Sequence, residues 1–325
     1  MTLGYRQLEV IRAVARHGAV TAAAAALGVS QPAVSMMLRD CTANAGFPLF
    51  VRRQGRLRPT AELRLLLDDI DRMFAGMDRI NRVLDDLRDT RVGSVIVATT
   101  PALTETLLPF ATVAFRRRRP GVRIAVQALD NTAVIESALQ RQADFGLALT
   151  PIDDSSLRSV RLCSGELVCI VPRHHPLARH AGLTPQDLAP CPLISFSRSL
   201  PLGSLTERRF QEAGLPFRIA VEVNQSSVAL SLVRAGAGIA VMDPFLRVEE
   251  HDPDIVVRRF TPPTRVDAKA VLPPGPVTRS ALMLLATIRR QAANPATWTT
   301  TAAPREQMPQ PLSWPGCGRC PSTTS

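Results

Sequence analysis

The sequence predicts an α/β protein assembled from an N-terminal winged helix-turn-helix, one long linker helix and a pair of α/β lobes. Three observations predict it. Between Val20 and Leu38 an alanine-rich helical stretch is followed by a glycine turn and a second helical stretch. From Leu63 to Leu87 apolar residues recur at three and four without a proline. From residue 93 onward apolar runs alternate with helical segments, the pattern of a parallel sheet.

In the first segment, two helices that cross steeply need a small residue at closest approach, and Ala24 supplies it. Gly28 makes the tight turn. Leu27, Val29, Val34 and Met37 have the spacing of a buried face, which leaves Ser30, Gln31, Ser35 and Arg39 pointing outward toward base edges and phosphates. Ser30 is a good N-cap and Pro32 suits a first helical turn, so the second helix begins where a recognition helix should. After Gly46, FPLFVRRQGRLRPT reads as two short strands about a Gly55 turn, carrying Arg52, Arg53, Arg56 and Arg58. Residues 1–60 hold eight arginines against Glu9 and Asp40, a balance of +6. That clustering favours a DNA-binding unit over an amphipathic hairpin with no nucleic-acid role.

From Ala61 to about Arg91 the periodicity predicts a single helix, too long for one small domain. Its apolar stripe reads as a dimer contact and a spacer, with packing inside the domain as the alternative. The strands that follow (SVIVAT, VRIAVQAL, FGLAL, LVCIVP, CPLISF, RIAVEV, GIAVM, IVVRRF and AKAVLP) are too many for one small sheet. Two lobes, with a helix expected from Ala102 to Arg119 and crossovers near Ser164 to Glu166 and Thr264 to Lys269, accommodate them. The expected organisation is a winged helix-turn-helix over 1–60, a linker helix over 61–91 and a two-lobed domain over 92–292. Within it, lobe 1 takes about 92–164 and 267–292, and lobe 2 about 165–266. Residues 293–325, rich in Pro, Ser and Thr, are expected to be disordered.

The net charge of +11 suits an anionic partner, but Lys269 is the sole lysine among 39 basic residues, so arginine abundance alone is weak evidence. No N-terminal apolar run resembles a signal peptide and no stretch reaches the ~18 apolar residues of a membrane span, which predicts a cytoplasmic protein. The six cysteines lack repeated ligand spacing and are expected to be reduced thiols. Cys317 and Cys320 form a lone CxxC, and His174, His175 and His180 read as surface residues, so neither a metal nor a cofactor is expected. The motifs GxSxG, HExxH and the P-loop are absent from the sequence, and Gly236-Ala-Gly238 precedes a strand instead of following one. Catalysis in the cleft is therefore the least favoured reading.

QLEVIRAVARHGAVTAAAAALGVSQPAVSMMLRD, then PLFVRRQGRLRPT, then the long helix and two lobes, resemble the LysR-type transcriptional regulators over residues 3 to about 292. SSVALSLVRAGAGIAVMDP and FAGMDRI are similar to the regulators of octopine and nopaline catabolism within that family. The resemblance implies a periplasmic-binding-protein-like effector domain in a homodimeric or tetrameric regulator. A small effector between the lobes then changes the bend of bound double-stranded DNA. By position it carries over Thr21, Ser30, Gln31, Pro32, Ala33, Ser35 and Arg39 as the DNA-facing set, with Arg52, Arg53 and Arg56 on phosphate or minor groove. Gln31 is the residue suited to read adenine. Met36 replaces a usual cation, Cys41, Thr42 and Ala45 replace bulkier residues, and Leu63 stands where glycine is common.

For the effector, the resemblance points to Thr100, Asn131, Thr132, Thr150, Ser197, Gln225 and Ser226, residues at helix starts and strand ends. Each is also readable as a plain helix cap. An amino-acid derivative bearing a carboxylate and a guanidinium is the implied ligand, with Asp130 or Glu105 as the opposing charge. A DNA-architectural protein with a vestigial cleft is the alternative, recognisable by effector-independent compaction or bending.

Overall fold

A computed structural model describes residues 3–88, 93–150, 158–248, 252–295 and 298. They form two compact units divided between Asn81 and Arg82.

The first unit contains α1 (Tyr5–His17), α2 (Val20–Leu27), α3 (Gln31–Ala45), the hairpin β1 (Phe50–Arg53) and β2 (Arg56–Pro59), and the start of α4 (Ala61–Arg88). Gly28 closes α2 in the left-handed conformation at φ 65°. Ala23, Ala24 and Val34 meet Val10 and Val14 in one small core, with Leu27, Val29 and Met37 packed partly buried at its edge. A second cluster joins Ile11, Cys41 and Leu49 to Leu63, Ile70 and Phe74 of α4. Cys41 and Leu63 are both fully buried in this cluster, and Ala45 packs partly buried against it.

The stripe on α4 is thus divided. Leu63, Ile70 and Phe74 pack within the first unit, whereas Leu66, Met73, Met77, Ile80, Leu84 and Leu87 are exposed at a recurring three-and-four spacing. The helix is described to Arg88; the expected continuation to Arg91 lies outside the described residues.

The second unit holds two sheets. The chain runs through β3 (Gly93–Thr99), α5 (Pro101–Glu105), α6 (Leu107–Arg118), β4 (Val122–Ala128), α7 (Asn131–Leu139) and β5 (Phe145–Leu149) before β6 (Arg158–Glu166). It then builds β7 (Val168–Pro172), β8 (Gly182–Leu183), α8 (Pro185–Leu188), β9 (Leu193–Phe196), α9 (Pro201–Glu212), β10 (Ile219–Val223), α10 (Ser226–Arg234), β11 (Ile239–Met242) and β12 (Ile255–Phe260). It returns through β13 (Arg265–Leu272) to α11 (Arg279–Ala292). The first sheet has the order β4-β3-β5-β13-β6 and the second β10-β9-β11-β7-β12-β8. The three strands β3, β4 and β5 are parallel, as are β9, β10 and β11, so each sheet presents a row of strand C-terminal ends.

Successive side chains of β3 face opposite layers. Val95 and Val97 join the main core beneath α6, while Ala98 faces a separate cluster with Val134 and Ala138 of α7. The crossovers are stitched together at Leu167, whose N–H donates to Thr264 O at 2.9 Å and whose carbonyl accepts from Phe260 N at 3.3 Å.

Two expectations needed correction. The helix expected from Ala102 to Arg119 is two helices, α5 and α6, broken at Thr106. Pro109 in the first turn of α6 has no N–H and its ring would meet the carbonyl four residues back, so α5 cannot continue through it. The segment 158–166, where no strand was expected and a crossover was placed near Ser164 to Glu166, is a full strand paired along β13. Its side chains are mostly polar, so apolar periodicity gave no signal. The tail expected to be disordered lies mostly outside the described residues, as do Cys317 and Cys320. Trp298 is described, and is buried against Phe245 with ring centroids 5.4 Å apart. The described cysteines are free, and burial pushes the Cys41 thiol up to about 11 and that of Cys163 to about 12, which keeps both protonated and unreactive.

Candidate nucleic-acid interface and ligand cleft

The outer face of α3 begins with a real cap: Ser30 Oγ accepts from Ala33 N at 3.4 Å. Gln31, Ser35 and Arg39 follow at intervals of four, with Gln31 Nε2 donating to Ser35 Oγ at 3.1 Å and Arg39 Nε to Ser35 O at 3.4 Å. These bonds hold the three polar groups in one row. Thr21, Ser30, Gln31, Pro32 and Arg39 are exposed, and Ala33 and Ser35 half-buried. Met36, 57% exposed, adds an apolar group beside them suited to a thymine methyl. The wing turns through Gln54 and Gly55, both at positive φ (51° and 76°), the two-residue turn that matches strand twist. Leu57 donates its N–H to Gly18 O at 2.8 Å, which docks the hairpin on the end of α1. Arg52, Arg53, Arg56 and Arg58 are left exposed on it.

The cleft in the second unit lies where the C-terminal ends of six parallel strands face one another, the usual place for a ligand in an open α/β sheet. It encloses about 520 Å³, part of it open to solvent. Thr100, Pro101, Ala102, Asp130, Asn131 and Leu149 line it from the first lobe. Phe196, Leu200, Pro201, Leu202, Asn224, Gln225, Ser226 and Asp243 line it from the second.

Thr100 is the informative wall residue. It is 6% exposed, precedes α5 without capping it, and its Oγ1 has no hydrogen-bond partner among the described residues. A buried hydroxyl left unpaired costs about 1–3 kcal/mol, which a ligand oxygen placed there removes. Asn131 is committed elsewhere, its amide exchanging 2.8 Å hydrogen bonds with Leu149 N and O. The Ser226 hydroxyl donates to Asp243 Oδ2 at 2.5 Å, while Gln225 is exposed with no side-chain cap bond to α10.

Of the seven residues expected at the effector, Thr100, Asn131, Gln225 and Ser226 come together in this cleft. The others do not line it. Thr132 is exposed one residue further along α7, Ser197 Oγ pairs with Ser199 Oγ at 2.9 Å, and Thr150 Oγ1 accepts from Asp267 N at 2.8 Å. Thr150 belongs instead to a crossover network with Asp267, whose carboxylate also accepts from Ser164 at 2.6 Å and Arg265 at 2.7 Å. Of the two acids expected as the opposing charge, Asp130 lines the cleft and caps α7, accepting from Ala133 N at 2.9 Å; Glu105 does not line it.

Asp243 was missed by sequence reasoning. It is 1% exposed, follows directly on β11, and also accepts from Phe245 N at 2.9 Å. A lone acid closing an apolar strand was the available signal. Burial pushes its carboxyl up to about 6 against the pull of these hydrogen bonds, with the charge of Glu105 adding to the rise. A raised carboxyl binds its proton more tightly folded than unfolded, so protonation stabilises the fold as pH falls through about 6, and the gain is complete below the unfolded value of 3.8. Urea titrations between pH 7.5 and 4.5 should therefore show wild type gaining on the order of 2 kcal/mol relative to Asp243→Asn. Parallel curves for the two proteins would contradict the assignment.

The profile described as the bacterial regulatory helix-turn-helix protein of the lysR family matches residues 5–62, and that of the LysR substrate binding domain matches residues 88–293. The chain is a LysR-family transcriptional regulator. It is 32% identical to the transcriptional activator protein LysR of Escherichia coli (strain K12), over 79% of this chain and 82% of the relative. The octopine catabolism/uptake operon regulatory protein OccR of Rhizobium meliloti is also 32% identical, over 80% of this chain and 86% of its own. The crystal structure of CbnR, a LysR family regulator, superposes with a TM-score of 0.69 at 23% identity, covering 90% of this chain and all of that one. This regulator thus combines a DNA-binding helix-turn-helix with a substrate-binding effector domain. Among its described residues no single helix is long and apolar enough to cross a membrane.

Proposed function

We propose that this regulator acts in the cytoplasm as a homo-oligomer whose DNA bending or assembly is switched by a small carboxylate, an amino-acid derivative foremost, held between the two lobes. The observation that carries the reading is the buried, unpaired hydroxyl of Thr100 on the cleft wall. Asn131, Gln225 and Ser226 complete the polar lining. Thr100→Val keeps the shape and removes the hydroxyl, so effector affinity should fall about five- to hundredfold by calorimetry while DNA binding persists. Ser197→Ala, whose hydroxyl has its own partner, should lose less. Equal response in wild type and Thr100→Val would place the effector elsewhere.

For DNA, Thr21, Ser30, Gln31, Pro32, Ala33, Ser35 and Arg39 form the face presented to the major groove, with Arg52, Arg53 and Arg56 on the backbone or minor groove. Gln31→Ala should relax sequence preference, losing about 1–3 kcal/mol of discrimination at one base pair. Arg53→Ala should weaken binding to all sequences alike and flatten the slope of log affinity against log salt by about one unit. The reverse pattern in a salt titration would exchange the two roles. The exposed seam of α4 from Leu66 to Leu87 supplies the dimer contact, since an unpaired run of apolar side chains at this spacing is what a partner helix covers.

A further inference from the structure

Trp298 lies beyond residue 293, where the match to the LysR substrate binding domain ends, among Ala, Asn, Pro and Thr residues. It is nevertheless 8% exposed. Its Nε1 donates to Ala292 O at 2.8 Å, at the end of α11, and its ring stands 5.4 Å from that of Phe245. The indole also reaches the end of β6. A Cβ on Gly165 would lie 3.5 Å from it and 2.5 Å from the ring of Pro244, closer than real Cβ atoms come, so glycine is what admits Pro244 here.

The loop gripped in this way continues the cleft wall. Asp243 lines the cleft, Pro244 sits against Gly165, Phe245 against Trp298, and the Arg247 guanidinium lies 5.2 Å over the ring of Phe110 in α6. Phe245 N donates to Asp243 Oδ1 at 2.9 Å, so the residue that Trp298 covers is one that orients the wall carboxylate. Resting on the reading of this cleft as the effector site, we propose that Trp298 is a positioning residue of that site, clamping Phe245 from beyond α11 and so holding the Asp243 wall in place. A cap for α11 needs only a donor to its last carbonyls, which a small polar side chain supplies. Burial of a whole indole against Phe245 exceeds that need. A wall fixed before the ligand arrives does not have to be ordered on binding, so the clamp raises affinity by preorganisation.

The test is amide hydrogen exchange on full-length wild type, Trp298→Ala and Trp298→Phe, with no effector present. Trp298→Ala removes both the ring and the Nε1 donor, whereas Trp298→Phe keeps a ring on Phe245 and loses the bond to Ala292. Exchange in peptides covering residues 242–248 should quicken about tenfold or more in Trp298→Ala and about threefold in Trp298→Phe. Peptides of α7, which packs in a separate core cluster, should keep the wild-type rate. Where circular dichroism shows that Trp298→Ala has lost the domain, Trp298→Phe carries the comparison. The Asp243 carboxyl gives a second readout. Burial is the main cause of its raised value, so water admitted by a loosened loop lowers it from about 6 toward 3.8, while Glu105 is present in every variant. The stability that wild type gains over Asp243→Asn as pH falls from 7.5 to 4.5 should therefore shrink by about half or more when both carry Trp298→Ala. Unchanged exchange over 242–248 in both variants, or an undiminished pH-dependent gain, would overturn the proposal. Equal quickening in α7 would do the same, by making Trp298 a general stabiliser of the domain. No step uses an effector, so this outcome is independent of the Thr100→Val calorimetry that tests the cleft itself.

Discussion

Charging the seam of α4 is expected to turn the protein into a folded monomer that has lost tight operator binding. Met77 and Ile80 are 41% and 52% exposed and take no part in either core cluster of the first unit, so Met77→Glu combined with Ile80→Glu removes no internal packing. Between two copies the same glutamates would face each other across an apolar contact, where like charges without partners are costly. Losing the second DNA-binding unit forfeits the gain of joint binding, so operator affinity should drop about 10²- to 10⁴-fold. Sedimentation gives the oligomeric state and gel retardation the affinity; a double variant that stays dimeric would remove α4 as the contact. Ile70→Glu makes the contrast, since Ile70 is 6% exposed within the first unit's core and should unfold that unit instead.

Gly203→Ala should destabilise the effector domain by about 3 kcal/mol and disturb the cleft. On an open helix face this exchange stabilises by about 1 kcal/mol, so the sign itself is diagnostic. Here a Cβ would stand 1.9 Å from the carbonyl oxygen of Ser197 and 2.6 Å from that of Phe196. The loop from Ser197 to Leu200 has to retreat, carrying with it the wall formed by Leu200, Pro201 and Leu202. Urea unfolding measures the loss, and a more stable variant would show that the loop yields freely.

The helix-turn-helix was legible because its requirements are local. Ala24 at a crossing, Gly28 in a turn and Ser30 at a cap are each demanded by backbone geometry within a few residues. The strands of both sheets were legible as apolar runs because most are covered on both faces. β6 was not, since a strand held by pairing with β13 carries polar side chains that announce nothing. The division of the α4 stripe was equally hidden. Periodicity marks an apolar face, but only the three-dimensional packing shows that Leu63, Ile70 and Phe74 turn inward while their neighbours stay exposed.

In the cleft, sequence reasoning found hydroxyl and amide residues at strand ends and helix starts, and could not tell spent groups from free ones. Thr100 and Thr150 look alike as threonines after strands. One is buried and unpaired, the other bonded across the crossover to Asp267. Asp243 escaped because its importance comes from burial at a cleft wall, a property of the assembled lobes and not of its neighbours in sequence.

The central claim is that a ligand in this cleft changes the shape of bound DNA. Its most direct test is energy transfer across an end-labelled operator, isolated by selection from random-sequence DNA. The complex is titrated with the amino-acid derivative that binds most tightly in calorimetry. The account predicts a saturable change in end-to-end transfer for wild type. With Thr100→Val the midpoint should move five- to hundredfold higher, by about 1–3 kcal/mol, with operator affinity unchanged. An operator bent to the same extent at every ligand concentration, in wild type as in the variant, would contradict it and leave a DNA-architectural protein.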